Sequence, residues 1–424
     1  MKKFLPYNIV HIDLNELEDP VVPEKYLTGN YIVIWLKEIA LGQFFLEPDV
    51  IMDGKEFKNK IASEIIKTIE HYEKEITYDF ADRKTWLFNH SIAKWQIRLD
   101  NIFGGEMSKD LPPTVPISVI VCTQNRPDFL EQCLSFLQNS VCKPAEIIVV
   151  DNGSQNVETY NLVTQFENVT YVKEQRQGLS IARNSGIKKA SSSIVAFTDD
   201  DVKVHPLWTY RIWEVFQQDN ITATTGLVIA SQLETEAQYI FEKNWSFNRG
   251  FVEKMYETEY FEKTLRNGPP VWEIGAGANM AFKKAVFEEV GYFNECLGAG
   301  ASGCSEDSEM WFRILAHGHN IRYTPKAIVF HQHRKDLQSL KNQIFNYMQG
   351  FTVAALLQQK QFPRAAYKRH IFMNLPRYYF SLIRKGFPFY RAKFQTLPSE
   401  MKGVISGLRY YYKNLHKLMH SLRK

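Results

Sequence analysis

The sequence predicts an α/β protein built on a mostly parallel sheet with helices on both faces. The 424 residues are 45% apolar and 23% charged, which is typical of globular proteins and allows two or three domains. From residue 117, apolar runs of strand length alternate with helical patterns, as in buried parallel sheets. We predict three regions: a small α+β domain at 1–112, the α/β domain at 113–335, and a helical, basic and aromatic region at 336–424.

The composition excludes disordered and fibrous proteins, and no apolar run is long enough to span a membrane. The richest run, residues 31–46, contains Lys37 and Glu38. The basic start at residues 1–3 is not followed by the apolar core of a signal peptide. The five cysteines include no C-x-x-C pair, which favours reduced thiols over disulfides or a zinc site. These observations predict a cytoplasmic protein.

The N-terminal region shows two strand patterns followed by one helical pattern. The strands are expected at 8–12 and 31–36, and the helix at 58–72, where isoleucines recur at helical spacing. Prolines at 112, 113 and 116 end this region, because they remove backbone donors and favour extended backbone. No chemistry is assigned to this domain.

The α/β domain follows as alternating strands and helices. Strands are predicted at 117–122, 146–150, 169–172 and 193–197, and helices at 128–137, 159–166 and 179–190. Ligands bind at the carboxyl ends of the strands in such sheets. The polar residues that follow each strand are therefore the candidates for function.

Three polar clusters follow these strands: residues 123–127, 151–154 and 198–201. A turn or a helix cap explains any one of them alone, and for Asp151 that reading has equal weight. It fails for Asp199, Asp200 and Asp201, because three adjacent carboxylates repel each other unless a cation or strong donors neutralise them. Oxygen ligands beside a substrate phosphate favour Mn²⁺ or Mg²⁺ as the cofactor.

Five motifs in this order resemble those of the family 2 glycosyltransferases. They are Thr123-x-x-Arg126, Asp151-x-x-Ser154, the glycine-rich stretch 178–186, Thr198 to Asp201, and 305–313 with its Glu-Asp pair. The resemblance covers residues 115–335 and implies the GT-A nucleotide-diphospho-sugar transferase fold. It also implies metal-dependent, inverting transfer of a sugar from a nucleotide-diphosphate sugar to a hydroxyl of a cell-surface glycan or lipid-linked precursor. The N-terminal region is similar in layout to the accessory domain of certain bacterial members.

The resemblance also assigns the donor-binding residues. Nucleotide-sugar binding is expected at Thr123, Arg126, Asp151, Arg183, Asp199 and Asp200, and metal binding at Asp201 and Asp199. The Asp151 carboxylate can accept from an N–H of uracil, thymine or guanine, so the base stays open. The family often brings a histidine to the metal or the diphosphate, so His331 or His333 is expected to complete the site, although a structural role is equally compatible with the pair.

Asp307 is the expected catalytic base, and Glu306 is expected to orient it. An inverting transferase needs a carboxylate that takes the proton of the acceptor hydroxyl. Adjacent carboxylates at a helix N-terminus can be held in different protonation environments. The alternative for this pair is a helix cap that complements the helix dipole.

Two glycine-rich segments are expected to line the active site. Residues 298–303 are too small and flexible for a packed core, and Gly300 is expected in a loop that orders over the donor. This segment lacks the Lys and Ser/Thr of a P-loop. In 272–279, Trp272, Glu273 and Gly275 are expected beside the acceptor, although a glycine-rich turn with a core tryptophan fits Trp272 equally well.

The last 64 residues have a composition of their own. They contain 14 Lys and Arg and one acidic residue, Glu400, whereas the first 360 residues carry a net charge of −9. Basic residues interleaved with aromatics suit anionic lipids or nucleic acid. A lipid-linked acceptor favours the membrane, so we expect a peripheral position on the inner face of the cell membrane and no nucleic-acid partner. The alternative is a set of helices that pack their aromatics on the catalytic domain.

Two rival functions remain at this point. One is another GT-A enzyme such as a nucleotidyltransferase, against which the Glu306-Asp307 pair argues because that chemistry needs no base at this spacing. The other is a non-catalytic nucleic-acid or scaffold protein recruited by the basic tail, which would bind nucleic acid in a salt-sensitive way.

Overall fold

Two sheets organise the chain in the computed structural model, which describes residues 4–17, 28–73, 83–107, 110–387 and 392–421. The basic start at 1–3 and the tail segments 388–391 and 422–424 lie outside the described residues. The predicted α/β class with a mostly parallel sheet is confirmed.

The N-terminal sheet consists of β1 (Tyr7–Asp13), β2 (Gly29–Leu36) and β3 (Ile39–Leu46). Strand β2 pairs in parallel with β1 and antiparallel with β3. The helices of this region are α1 (Gly54–Glu73), α2 (Arg83–Asn89) and α3 (Ile92–Met107). The strand β3 lies within the apolar run 31–46, which the sequence did not divide into two strands.

Strand β2 is buried along its whole length because both of its faces are covered. Ile32 and Ile34 point into the core formed with the N-terminal helices. Tyr31 and Val33 alternate with them and pack against the large sheet, where they meet Ile328. This period of two explains why the strand reads as a continuous apolar run.

The large sheet has nine strands within the described residues. They are β4 (Thr114–Thr123), β5 (Lys143–Asn152), β6 (Val169–Glu174), β7 (Ile194–Asp199), β8 (Val202–Val204), β9 (Ile221–Ala230), β10 (Lys254–Tyr256), β11 (Met280–Lys283) and β12 (Asn320–His331). Their order is β10-β12-β9-β11-β7-β4-β5-β6, and β8 pairs with β12. Strands β7, β4, β5 and β6 are parallel, so their carboxyl ends meet at one edge.

Helices cover both faces of this sheet. They are α4 (Pro127–Gln138), α5 (Glu158–Val163), α6 (Leu179–Lys189), α7 (Trp208–Val215), α8 (Glu236–Trp245), α9 (Thr258–Thr264), α10 (Val286–Val290) and α11 (Glu306–Ala316). Ile120 of β4 enters one core and its neighbours Val119 and Val121 enter the other, as expected for a strand buried on both sides.

The C-terminal region is helical, as predicted, and it packs on the large domain. Its elements are α12 (Leu337–Gln361), α13 (Tyr367–Arg369), a π-helical turn (His370–Asn374), α14 (Leu375–Gly386), α15 (Leu397–Lys413) and α16 (Leu415–Ser421). Tyr367 and Tyr411 are buried in the main core. Gly403 lets α15 approach α12 closely, because a Cβ there would lie 2.5 Å from the Phe345 carbonyl oxygen. The division at residue 336 therefore stays a prediction.

Among the described residues, none of the helices combines the length and apolar character that a bilayer crossing requires.

Candidate active site

A cavity of about 1310 Å³ opens where the carboxyl ends of β4, β5 and β7 meet. Most of the predicted site residues line it: Thr123, Arg126, Arg183, Asp199, Asp200, Asp201, Trp272, Glu273, Gly275, Gly300, Glu306, Asp307 and His331. Asp151 and His333 lie behind the lining. The structure thus gathers residues that are up to 208 positions apart in the sequence.

Thr123 and Arg126 hold the middle carboxylate of the acidic cluster. The Thr123 hydroxyl donates to Asp200 Oδ2 at 2.8 Å, and Arg126 Nη1 donates to Asp200 Oδ1 at 2.6 Å. Arg126 Nη2 donates to Asp201 Oδ2 at 2.9 Å. These contacts form because β4 and β7 are neighbouring parallel strands that end at the same level. Both oxygens of Asp200 thus accept hydrogen bonds within the protein, whereas Arg126 contacts only Oδ2 of Asp201.

Asp199, Asp201 and His331 form a group that could hold one metal ion. One ligand atom of each lies within 4.8 Å of the others, and His331 Nε2 is 3.5 Å from Asp201 Oδ1. The pairing of β8 with β12 produces this proximity, because it sets His331 opposite Val202, the residue that follows Asp201. Two carboxylates and an imidazole suit Mn²⁺, and the carboxylates also suit Mg²⁺.

Burial dominates the protonation of this group. It raises the pKa of Asp199 to about 6 and that of Asp200 to about 7, and nearby carboxylates add to both shifts. For Asp201, burial acts in the same direction, but His331 and Arg126 outweigh it and leave its pKa below the ordinary value. Burial lowers the pKa of His331 to about 4, so its ring is neutral near pH 7 and offers a lone pair. A bound cation would relieve the repulsion among these carboxylates.

His333 contacts His331 and Glu242 rather than Asp199 or Asp201. Its Nδ1 lies 3.1 Å from Nδ1 of His331, and its Nε2 lies 2.9 Å from Glu242 Oε2. Of the two predicted histidines, His331 is the one that lines the cavity. Strand β12 ends at His331, so His333 lies beyond the strand.

Arg183 links the acidic cluster to the helix that carries the predicted base. It lies on α6 with 2% of its surface exposed. Its Nη1 donates to Glu306 Oε1 at 2.6 Å, and its Nη2 is 3.7 Å from Asp199 Oδ1. Burial raises the pKa of Glu306 even though Arg183 opposes the shift. Glu306 thus contacts the guanidinium rather than open solvent, in agreement with an orienting role.

Asp307 presents one carboxylate oxygen to the cavity. Its Oδ1 accepts from the backbone N–H of Ser308 at 2.6 Å and from the Ser308 hydroxyl at 3.2 Å. Its Oδ2 faces Gly277, where an added Cβ would lie 3.1 Å from that oxygen and 2.8 Å from Arg183 Nη2. A larger residue at 277 would therefore crowd both groups. The geometry leaves Asp307 Oδ2 available to a substrate hydroxyl.

Asp151 lies at the end of β5, next to Thr123 of β4. It is fully buried, and its Oδ2 accepts from the Tyr171 hydroxyl at 2.8 Å. Its Oδ1 has no hydrogen-bond partner among the described residues. An N–H of a nucleobase would satisfy this oxygen. The nucleobase contact itself stays a prediction.

The cavity is also lined by residues that sequence reasoning missed. Helix α12 contributes the amides of Asn342, Asn346 and Gln358, and α14 contributes Tyr378 and Tyr379. Trp272 packs edge-on against Phe351 of α12, with ring centroids 5.0 Å apart. Asn342 and Asn346 share one face of the helix because they are four residues apart, whereas Gln358 lies more than three turns further along and on a different side. The pair of asparagines four residues apart was the available signal.

Residues 118–291 match the family described as Glycosyl transferase family 2. The chain contains a family 2 glycosyltransferase domain. The matched residues include the polar clusters after β4, β5 and β7, and they end before Glu306, Asp307 and His331.

Curated relatives match about half of this chain. Hyaluronan synthase of Pasteurella multocida is 28% identical over 247 residues, which are 51% of this chain and 24% of that protein. Chondroitin synthase of Escherichia coli is 28% identical over 241 residues, which are 51% of this chain and 34% of that protein. The chain thus matches only a quarter to a third of the length of these relatives.

A solved structure also resembles the chain at low identity. It is a mannosyltransferase from Pyrobaculum calidifontis in complex with GDP-Man and Mn²⁺. The superposition covers 72% of this chain and 92% of that one, with a TM-score of 0.47 and 18% sequence identity.

Proposed function

We propose that this protein is a metal-dependent, inverting glycosyltransferase that moves a sugar from a nucleotide-diphosphate sugar to a hydroxyl. One observation carries the proposal: in a chain that contains a family 2 domain, the metal-binding group of Asp199, Asp201 and His331 shares a cavity with Asp307. Such an enzyme needs charge compensation for a departing diphosphate and a base for the attacking hydroxyl.

The proposed reaction uses the residues as follows. Asp307 Oδ2 accepts the proton of the acceptor hydroxyl while that oxygen forms a bond to the anomeric carbon. The bond from this carbon to the diphosphate oxygen breaks, and the electron pair leaves with the nucleoside diphosphate. A Mn²⁺ or Mg²⁺ held by Asp199, Asp201 and His331 would supply positive charge to that leaving group. Arg183 contacts both Glu306 and Asp199, and these contacts hold the start of α11 in position beside the three aspartates.

The donor nucleoside is proposed to bind at the ends of β4 and β5. Thr123, Arg126 and Asn152 line the cavity there, and the unpartnered Oδ1 of Asp151 lies behind them. Uracil, thymine and guanine all carry an N–H that could reach such an oxygen. The base and the sugar are left to the experiment.

The acceptor is proposed to be a glycan or its lipid-linked precursor, bound between α12 and α14. The amides of Asn346 and Gln358 can donate to and accept from sugar hydroxyls, and Trp272 and Tyr378 offer aromatic faces in the same cavity. The acceptor would thus approach Asp307 from the side opposite the nucleoside edge.

We also propose that the C-terminal region contacts an anionic membrane surface through α14 and the turn before it. Four apolar residues of this segment are exposed at helical spacing: Met373, Phe380, Ile383 and Phe387, of which Phe387 is 74% exposed. Arg377 and Arg384 occupy the same stripe. Tyr379, on the other face, is buried and lines the cavity. An apolar stripe with basic residues on it is typical of helices that lie in the head-group region.

The test is nucleoside diphosphate release from a panel of UDP-, GDP- and dTDP-sugars, measured with and without Mn²⁺. We expect release with one class of donor, only with metal, and its loss in Asp201→Asn. Asp219→Asn, an exposed aspartate outside the cavity, serves as the matched control. Metal-independent release, or full release by Asp201→Asn, would contradict the proposal.

A further inference from the structure

A series of buried hydrogen bonds connects His331, one of the three residues that could hold the metal ion, to the N-terminal sheet. His331 Nδ1 lies 3.1 Å from His333 Nδ1, His333 Nε2 lies 2.9 Å from Glu242 Oε2, and the Tyr31 hydroxyl lies 2.9 Å from Glu242 Oε1. Less than 9% of each of these four residues is exposed. Tyr31 belongs to β2 of the N-terminal sheet, and Glu242 belongs to α8.

The hydrogen-bond pattern dictates which nitrogen of His331 carries its proton. An ionised Glu242 only accepts, so His333 Nε2 must be the N–H that faces it. In a neutral His333, Nδ1 then has a lone pair, and the short contact to His331 requires that His331 Nδ1 donates. His331 Nε2 is consequently left without a proton, and this is the nitrogen that faces Asp201. A metal ligand at this position requires that tautomer.

We propose that His333 and Glu242 are positioning residues that fix the tautomer and ring orientation of His331 for metal binding, and that Tyr31 anchors them from the N-terminal sheet. The inference rests on the proposed metal dependence. Histidine ligands of metals commonly donate their other N–H to a partner that is itself held in place. Through Tyr31, the N-terminal domain would therefore support the active site, although the sequence indicated no role for this domain.

Neighbouring side chains pack against these hydrogen-bonded residues and restrict their orientation. Phe241 lies against His333 and Phe247 lies edge-on against His331, with ring centroids 4.5 and 5.3 Å apart. The Ser246 hydroxyl donates to Glu242 Oε1 at 3.0 Å. Glu242 thus has hydrogen-bonding neighbours on both oxygens, which is what keeps a buried carboxylate in one orientation.

The experiment compares Mn²⁺ affinity in the presence of UDP or GDP, measured by electron paramagnetic resonance. His333→Phe keeps the ring shape but removes the acceptor for His331 Nδ1. His333→Asn places an amide oxygen where that acceptor was. We expect affinity to fall by about 10–100-fold in His333→Phe and by less than about threefold in His333→Asn.

We also expect ¹⁴N modulation of the Mn²⁺ signal in the wild type and its loss in His333→Phe. Glu242→Leu and Tyr31→Phe should give smaller losses of affinity.

His205→Asn is the matched control. His205 is another buried histidine paired with a glutamate, Glu38 at 2.8 Å, in the contact between the N-terminal region and the large domain. The His205→Asn variant should have a lower melting temperature than the wild type and the same Mn²⁺ affinity. Equal Mn²⁺ affinity in wild type and His333→Phe, with both folded, would overturn the inference alone. Absence of nucleotide-linked Mn²⁺ binding in the wild type would instead overturn the proposed metal dependence.

Discussion

Arg183 Nη1 donates to Glu306 Oε1 at 2.6 Å, and this buried pair joins the acidic cluster at the end of β7 to the helix that carries Asp307. The two residues are 123 positions apart. Their side chains are 3% and 5% exposed, so the contact is little screened by water.

Arg183→Gln should lower the free energy of unfolding by about 3–5 kcal/mol, because it leaves Glu306 buried without its cation. Arg183→Gln with Glu306→Gln should recover part of that loss, since no buried charge is then unpaired. Urea unfolding of the single and double variants measures both effects. A single variant within about 1 kcal/mol of wild type would show that the pair is not a structural link.

Asp307→Asn should lower turnover by roughly 10²–10⁴-fold, because an amide cannot take the acceptor proton. Donor affinity should change little, because the variant leaves the metal-binding residues and the proposed nucleoside site at the ends of β4 and β5 unchanged. Steady-state rates and calorimetry of donor binding test the two parts. Turnover within about threefold of wild type would move the base to another residue, with Glu306 first.

Asp200→Asn should stabilise the metal-free protein at pH 8. Burial raises the pKa of Asp200 to about 7, well above its unfolded value, so the folded state binds the extra proton. The proton on Asp200 stabilises the folded state fully below about pH 4, and this stabilisation is lost as the pH rises through 7. The variant should therefore gain on the order of 1 kcal/mol or more at pH 8 and almost nothing at pH 4. Thermal unfolding at both pH values measures the difference, and a destabilised variant at pH 8 would contradict the assignment.

The protein should cosediment with liposomes that contain phosphatidylglycerol and not with pure phosphatidylcholine. Replacing Phe380 and Ile383 by serine should weaken this binding by about tenfold or more, because each apolar side chain contributes about 1.5–3 kcal/mol when buried. Ile405→Ser is the control, since Ile405 is 49% exposed on α15, away from the apolar stripe. Self-association without lipid binding would indicate that a second copy covers this face.

The sequence predicted the sheet and most of its ligand-binding edge, because these depend on local patterns. Apolar runs identify parallel strands, and the polar residues that follow them must meet at the carboxyl edge. Thr123 and Asp199 to Asp201 were found in this way, and the structure places them together. The elements were predicted to within a few residues, which reflects the clear periodicity of this domain.

The contacts that depend on pairing between distant segments could not be predicted. His331 and His333 appeared equivalent in the sequence, and only the pairing of β8 with β12 decides which of them faces Asp201. The apolar pattern at 31–36 predicted a strand but not that Tyr31 would reach Glu242. Similarly, the sequence did not show that Asn342 and Asn346 of α12 would line the same cavity as Asp307.

The most direct test of the central claim is the melting temperature of the protein with UDP, GDP and dTDP, measured with and without Mn²⁺ in wild type and Asp201→Asn. A ligand that binds only the folded state raises this temperature. We predict that one nucleotide stabilises the wild type only when Mn²⁺ is present and that Asp201→Asn abolishes this shift while the variant remains folded without metal. An undiminished Mn²⁺-dependent shift in Asp201→Asn would contradict the claim that the group of Asp199, Asp201 and His331 binds the catalytic cation.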